Sequence, residues 1–597
     1  MSHPRTLHSV TSLALVTMMA GCGTPAAPAS PTPMSGKRIE GRAGMVAASH
    51  PDAASAGAEI LRQGGNAIDA FAATAFALSV TDVSQTGLGG GGAMTYYDAR
   101  ARRAEHLSFY PRSGASSEWG RSDSSTVRSP GRAAAVPGMV AGVLEAHAKW
   151  GRLTRAQVMA PAIRLAREGF IVSPLLARTI ASSRAKLALD TLAARHFLPN
   201  GFALRPGEVL RQPELAETLA AIATGGAKAF YGGTIAEQLS LKVKSLGGLI
   251  DVGDMSGYGT LAMRPLCAPW RGYTVLGAPP PMGGSAVLQM LQMTDATGIS
   301  AAGGFTEQPD AVVKLADVMR IANADAQRWR GDPTSLRVPA RGVAHPRFAT
   351  ERASLVGAAV RDTVSAGDPM VSDTTAGPSA CAAVDPYPAA SLPVRATSGS
   401  DRASDADSSV THHDASDDDT SFTSHLAVID AEGNAVSATT TVGVLFGSGV
   451  YTGGFFLNSS AANFDVRTRG PNRYANSTMS PTLLLEGRTV RLVIGAAGSQ
   501  YIQPSIVQVT LRMLAFDEDP GLAISAPRIH ASASTRDVEV EPGFSTSVYA
   551  ALVARGYRPL SRVADISFGG VHGVFVRRDG LRIGIADPRR DGVAVGQ

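Results

Sequence analysis

Thr423-Ser424-His425-Leu426-Ala427-Val428-Ile429-Asp430 is the stretch on which the reading of this chain turns. Its apolar, partly β-branched run predicts a strand, with a threonine at its head. Residues 357–422, immediately before it, are low in complexity, with runs such as Ser404-Asp405-Ala406-Asp407-Ser408 and Asp417-Asp418-Asp419. Such a composition buries too little apolar surface to offset its ordering entropy, so an exposed loop is expected there. An accessible loop running into a strand-initial threonine is what a self-cleaving amidase precursor needs. Cleavage between Phe422 and Thr423 would give Thr423 a free α-amine, placing hydroxyl nucleophile and amine base on one residue.

The chemistry favours that arrangement over a plain strand threonine. A threonine hydroxyl is a weak nucleophile at neutral pH. An α-amine of ordinary pKa, about 8, can take its proton directly or through a water. Attack on an amide would then give an acyl-enzyme, resolved by water or by an acceptor amine.

Further segments extend the pattern: Gly44-Met45-Val46-Ala47-Ala48-Ser49-His50-Pro51, Gly64-Gly65-Asn66-Ala67-Ile68-Asp69-Ala70, and the glycine run Gly87-Leu88-Gly89-Gly90-Gly91-Gly92. After them come Ala135-Val136-Pro137-Gly138, Pro161-Ala162-Ile163-Arg164-Leu165-Ala166, Pro279-Pro280-Pro281-Met282-Gly283-Gly284 and Met479-Ser480-Pro481-Thr482. One glycine run is weak evidence, because such runs also mark ordinary turns. With the threonine segment, these eight in order resemble the γ-glutamyltransferase family of N-terminal nucleophile hydrolases, from about Gly44 to the C-terminus. The resemblance implies an α+β fold, a four-layer αββα sandwich forming one catalytic unit of two chains. Residues 44–422 would be the large subunit, with 357–422 as the loop before the cut, and 423–597 the small subunit. The activity implied is cleavage of γ-glutamyl amides such as glutathione, the acyl group passing to water or an amine. Neither cofactor nor metal is implied. Two alternatives keep the fold and nucleophile: an acylase for glutaryl-type side chains and a capsule polyglutamate transpeptidase. A third is an uncleaved, non-catalytic surface lipoprotein.

Site residues follow from the same resemblance. Thr441 matches a second threonine whose hydroxyl orients the nucleophile, and Gly498-Ser499 matches the glycine pair whose N–H groups hold the oxyanion. Ser477-Thr478 matches a serine pair that binds the glutamyl α-carboxylate, a role two hydroxyl donors preserve. Gly443 replaces an asparagine, and Ser460 and Asn463 replace the glutamine and aspartate that hold the α-ammonium; Asn463 accepts a hydrogen bond without a charge. For the arginine that pairs with the carboxylate, a two-residue insertion selects Arg112, and an ungapped reading selects Tyr110. Arg112 is preferred because Arg-x-x-Ala spacing to Ala115 survives, and only a guanidinium forms a bidentate ion pair.

The remaining features bound the reading. At 597 residues, 44% hydrophobic and 18% charged, the chain can bury a large core. Fifty-five basic against 50 acidic residues, without a basic stripe, give nucleic-acid binding no support. Residues 1–22, with Arg5, the apolar run Leu13–Ala20 and Cys22, resemble a lipoprotein signal with Cys22 as the lipidated residue. That run is too short to span a membrane, so export and a lipid as the sole membrane attachment are expected, in a bacterial periplasm. Residues 23–43 read as a tether. Three scattered cysteines suggest neither a disulfide framework nor a zinc site, and Cys267 reads as a buried small hydrophobe. His412-His413 with Asp417–Asp419 reads as a solvated run, His425 as packed behind the nucleophile, and Asp325 and Asp332 as structural. Strand-then-helix is expected over 45–80, helices over 140–150 and 158–168, and short alternating strands after Thr423.

Overall fold

The Phe422–Ile429 strand pairs antiparallel with Ala435–Gly443 on one side and Met45–Ala48 on the other. The structure is a computed structural model that describes residues 1, 36–121, 129–299, 304–374, 378–382 and 422–597. The first seven-stranded sheet runs in the order Val593–Gly596, Met45–Ala48, Phe422–Ile429, Ala435–Gly443, Gly91–Asp98, Arg103–Phe109 and Leu261–Met263. The second runs Lys37–Gly41, Arg582–Ala586, Gly570–Val576, Thr489–Ala497, Thr482–Glu486, Tyr273–Gly277 and Leu266–Trp270, and packs against the first.

Strand periodicity explains how the layers are held. Ala427 and Ile429 point between the sheets, where they join Leu483, Val493 and Val574 in one apolar cluster. Leu426 and Val428 point the other way, into the larger core shared with the helices. The polar-apolar alternation expected after Thr423 is therefore absent from this strand, because both its faces are covered. Helices also follow Thr423, notably Ile502–Leu514 and Thr546–Arg555, which the strand-rich expectation omitted.

Pro51–Arg62 and Ala67–Thr81 cover the outer face of the first sheet; Gly284–Ala296 and Ile502–Leu514 cover the second. All residues of Ala67–Thr81 are buried. Its alanines allow the close approach, and Gly57 of the neighbouring helix has no room for a Cβ, which would lie 2.2 Å from Thr74 Oγ1. Asn66 caps this helix, and Asp430 Oδ2 accepts the Ala67 N–H at 2.9 Å. The far end of the threonine strand is thus bonded to the first turn of a buried helix. The result is the four-layer αββα sandwich of the N-terminal nucleophile hydrolases.

Three expectations change. Lys37–Gly41 is a strand paired with Arg582–Ala586, so part of the supposed tether 23–43 belongs to the second sheet. The supposed loop 357–422 is docked in its first part: Gly357 N donates to Asp317, Val364 N to the Ala533 carbonyl and Gly367 N to Asp325. Cys267 is not a lone hydrophobe but forms a disulfide with Cys381, linking an edge strand to the end of that docked segment. The reading failed because composition carries no information about contacts made across the fold. Asp325 has the structural role expected, accepting from Gln289, Arg352 and Gly367. Cys22, the signal segment, His412, His413, Asp417–Asp419 and most of the low-complexity run lie outside the described residues.

Candidate active site

A bulge marks the Phe422–Thr423 bond: Phe422 faces Gly443, whereas Ser424 already faces Thr440. Such an irregularity re-aims side chains at a strand end. Thr423 is buried, and its Oγ1 accepts the Gly498 N–H at 3.0 Å, across the two sheets. The Phe422 carbonyl, one bond upstream, accepts from Thr441 Oγ1 at 2.5 Å. Thr441 Oγ1 accepts the Gly443 N–H at 2.7 Å, which fixes the direction of its own proton. With the peptide bond intact, Thr441 therefore serves the Phe422 carbonyl and not, as expected, the Thr423 hydroxyl, because its single proton goes to the stronger acceptor beside it.

Glycine is required at two of these points. Gly443 has φ +94°, and a Cβ there would lie 2.2 Å from Ser459 Oγ, so an asparagine would displace that side chain. Gly498 has φ +126°, and the following Ser499 adopts φ +51°, a left-handed conformation non-glycine residues seldom take. This explains why a glycine pair suits the turn.

Behind the threonine lies a polar network that sequence reasoning missed. Ser424 Oγ donates to Asp82 Oδ2 at 2.5 Å, and Gln85 Nε2 donates to Asp82 Oδ1 at 2.7 Å. Arg590 donates to Gln85 Oε1 and, at 3.1 Å, to the Thr423 carbonyl; its other terminal nitrogen donates to the Ile566 carbonyl at 2.9 Å. Burial pushes the Asp82 carboxyl up to about 6, against the pull of Ser424, Arg590 and Gln85. The one sequence hint was that Asp82 and Gln85 immediately precede the glycine run; nothing local connects Arg590, near the C-terminus, to them. His425 is buried, its Nδ1 2.8 Å from Thr439 Oγ1 and its ring against Gly495. Burial lowers its pKa well below the usual histidine value, so it is neutral and packed between the sheets.

The recognition residues divide unexpectedly. Asn463 Nδ2 donates to the Tyr110 phenol at 3.0 Å, and the Ser460 and Ser477 hydroxyls face the same group. Arg112 does not join them: its Nη2 donates to the Gly257 carbonyl at 2.7 Å, and its guanidinium lies over the Tyr258 ring. The cause is in the backbone, where Arg112 pairs with Val136 and Tyr474 and its side chain is carried away from the Ser477 turn. The ungapped alternative, Tyr110, occupies the cluster. Ser477 N donates to the Pro281 carbonyl at 3.0 Å, and Thr478 Oγ1 donates to the Ser499 carbonyl at 2.8 Å, tying the hydroxyl pair to the oxyanion turn. Thr478 and Ser499 line a cleft of about 790 Å³ that Arg330 and Gln327 border from the helix Pro309–Trp329 and its end.

Comparison with known proteins gives the family and the fold. The gamma-glutamyltranspeptidase family matches residues 53–597. The chain is 32% identical to the glutathione hydrolase proenzyme of Bacillus subtilis (strain 168), over 93% of this chain and 92% of the relative. It is also 32% identical to the acylase ACY 1 proenzyme of Pseudomonas sp. (strain V22), covering 94% of each. The cephalosporin acylase of Bacillus halodurans superposes with a TM-score of 0.78 at 25% identity, covering 96% of this chain and 99% of that one. Matched over nearly its whole length by a family of hydrolases and transferases, this chain is an enzyme belonging to the gamma-glutamyltranspeptidase family.

Proposed function

We propose that the protein is a self-processing amidase that cuts its own Phe422–Thr423 bond and then, through Thr423, transfers a γ-glutamyl group from amides such as glutathione to water or an amine. The observation that carries this reading is the pair of contacts at the bond: Thr441 Oγ1 on the Phe422 carbonyl and the Gly498 N–H on Thr423 Oγ1. A hydroxyl donor on the carbonyl oxygen supports the negative charge that develops when Thr423 Oγ attacks the Phe422 carbon. The nitrogen of Thr423 leaves as the amine of the new N-terminus, and water hydrolyses the ester left on the hydroxyl. In the mature enzyme that amine is the base, and the turn at Gly498 becomes available to the substrate oxyanion.

The glutaryl acylase reading is favoured by one specific feature. A glutaryl group is a γ-glutamyl group without its amine, and the polar cluster offers an ammonium only neutral partners, Tyr110, Ser460 and Asn463. Activity on γ-glutamyl and glutaryl p-nitroanilides, measured side by side, tests the assignment. Release of nitroaniline from the γ-glutamyl compound and of glutamate from glutathione is expected. Cleavage of the glutaryl compound alone would make the protein an acylase. Export of the enzyme is part of the proposal, and the Cys267–Cys381 disulfide supports it, because such bonds persist in oxidising compartments.

A further inference from the structure

Arg330 stands out among the cations bordering the cleft. It follows directly on the helix Pro309–Trp329 and lines the same cleft as Thr478 and Ser499. Its Nε is buried without a hydrogen-bond partner, and its guanidinium makes no salt bridge among the described residues. Its backbone carbonyl is taken by Arg467, and Asp465, the carboxylate within its field, is already held by Arg467 through Nε at 2.9 Å. The Tyr110 phenol, with Asn463 attached, also lies in that field. A guanidinium with its Nε buried and unpartnered and with no ion pair among the described residues is only partly satisfied, and an incoming carboxylate would supply the missing acceptor. Burial lowers the Arg330 pKa, as expected for a cation awaiting its partner.

We infer that Arg330, with the Tyr110–Ser460–Ser477 hydroxyls, is the anion subsite of the acyl pocket and selects acyl groups that end in a carboxylate. This deepens the proposed function and rests on its assignment of acyl transfer to Thr423. It moves the cation from the Arg112 segment to the loop after the Pro309–Trp329 helix. The subsite is indifferent to the α-amine, so glutamate and glutarate are both ligands, whereas a five-carbon acyl chain ending in a methyl group is not.

Binding is measured first because it needs no turnover. Glutarate is titrated into the purified protein by calorimetry, with Arg330→Gln and Arg330→Lys beside the wild type and thermal melts as a check on folding. Loss of roughly 30-fold or more in affinity in the Gln variant, with partial retention in the Lys variant, is the expected result. Equal affinity in all three, or no glutarate binding by the wild type, overturns the inference. Kinetics on glutaryl and pentanoyl p-nitroanilides follow. Arg330→Gln should raise KM for the first and leave the second unchanged, and a wild type that prefers the pentanoyl compound also overturns it. Glutarate binding lost in Arg330→Gln, but with neither γ-glutamyl nor glutaryl amide cleaved by the wild type, would sink the proposed function and leave Arg330 standing as an anion site.

Discussion

The two halves of the candidate site differ in how far each is built. At the Phe422–Thr423 end the groups flanking the bond are held by named partners: Thr441 on the carbonyl, Gly498 on the hydroxyl, Arg590 on the next carbonyl, and Asp82 with Gln85 behind. At the recognition end, a phenol occupies the site expected of a guanidinium, an amide that of a carboxylate, and a guanidinium without an ion pair among the described residues lies nearby at Arg330. Bond-breaking chemistry tolerates little variation in geometry, whereas recognition can be rebuilt from either wall of a cleft. One fold can accordingly carry the same nucleophile toward different acyl groups.

The comparison is broken most severely through Thr441. Thr441→Ala removes the donor on the Phe422 carbonyl, and self-cleavage should slow about 100- to 1,000-fold, with Thr441→Ser largely spared. Time courses of the two-chain form on gels measure this. Unchanged cleavage in the alanine variant would detach Thr441 from the reaction.

Asp82 sharpens the same end through pH. Its folded pKa of about 6 lies above the usual 3.8, so the folded protein favours the protonated form. Its contribution to stability is therefore fully present below about pH 4 and is lost as pH rises through 6; holding the carboxylate ionised above that costs about 3 kcal/mol. Ionised Asp82 is the form that accepts from Ser424 and faces Arg590. Self-cleavage should rise roughly tenfold through pH 6, and Asp82→Asn should flatten that profile. An inflection near pH 8 alone, in both proteins, would place the controlling group elsewhere.

Outside the pocket the effects fall on stability. Cys267→Ser should cost about 2–4 kcal/mol under non-reducing conditions, read from denaturant midpoints, with KM unchanged. Smallest is Arg112→Ala: loss of its bond to the Gly257 carbonyl should cost about 1 kcal/mol and leave KM for a γ-glutamyl anilide within about twofold. A large KM increase there would return Arg112 to the carboxylate.

Much of this was legible in the chain itself. The Thr423 strand and the Ala-rich helix Ala67–Thr81 are local patterns, and local patterns survive in sequence, whereas the turn at Gly498 was legible only through the family resemblance. Three features were illegible for one reason. Arg590 meets Asp82 and Gln85 across some five hundred residues, Cys267 meets Cys381 across 114, and the side-chain direction of Arg112 depends on its pairing with Tyr474. Each depends on long-range contact that no spacing rule encodes. The Arg-x-x-Ala spacing misled because it is a statement about neighbours in sequence, while the proposed carboxylate site draws on four separate segments.

The central claim, that Thr423 is released as an N-terminal nucleophile by its own hydroxyl, is tested most directly by intact mass and N-terminal sequencing of the purified protein and its Thr423→Ala variant. The account predicts a wild-type small chain beginning Thr423-Ser424-His425 and, for the variant, one chain uncut at that bond. A wild-type small chain that starts at any other residue, or a variant cleaved as readily as the wild type, would contradict it.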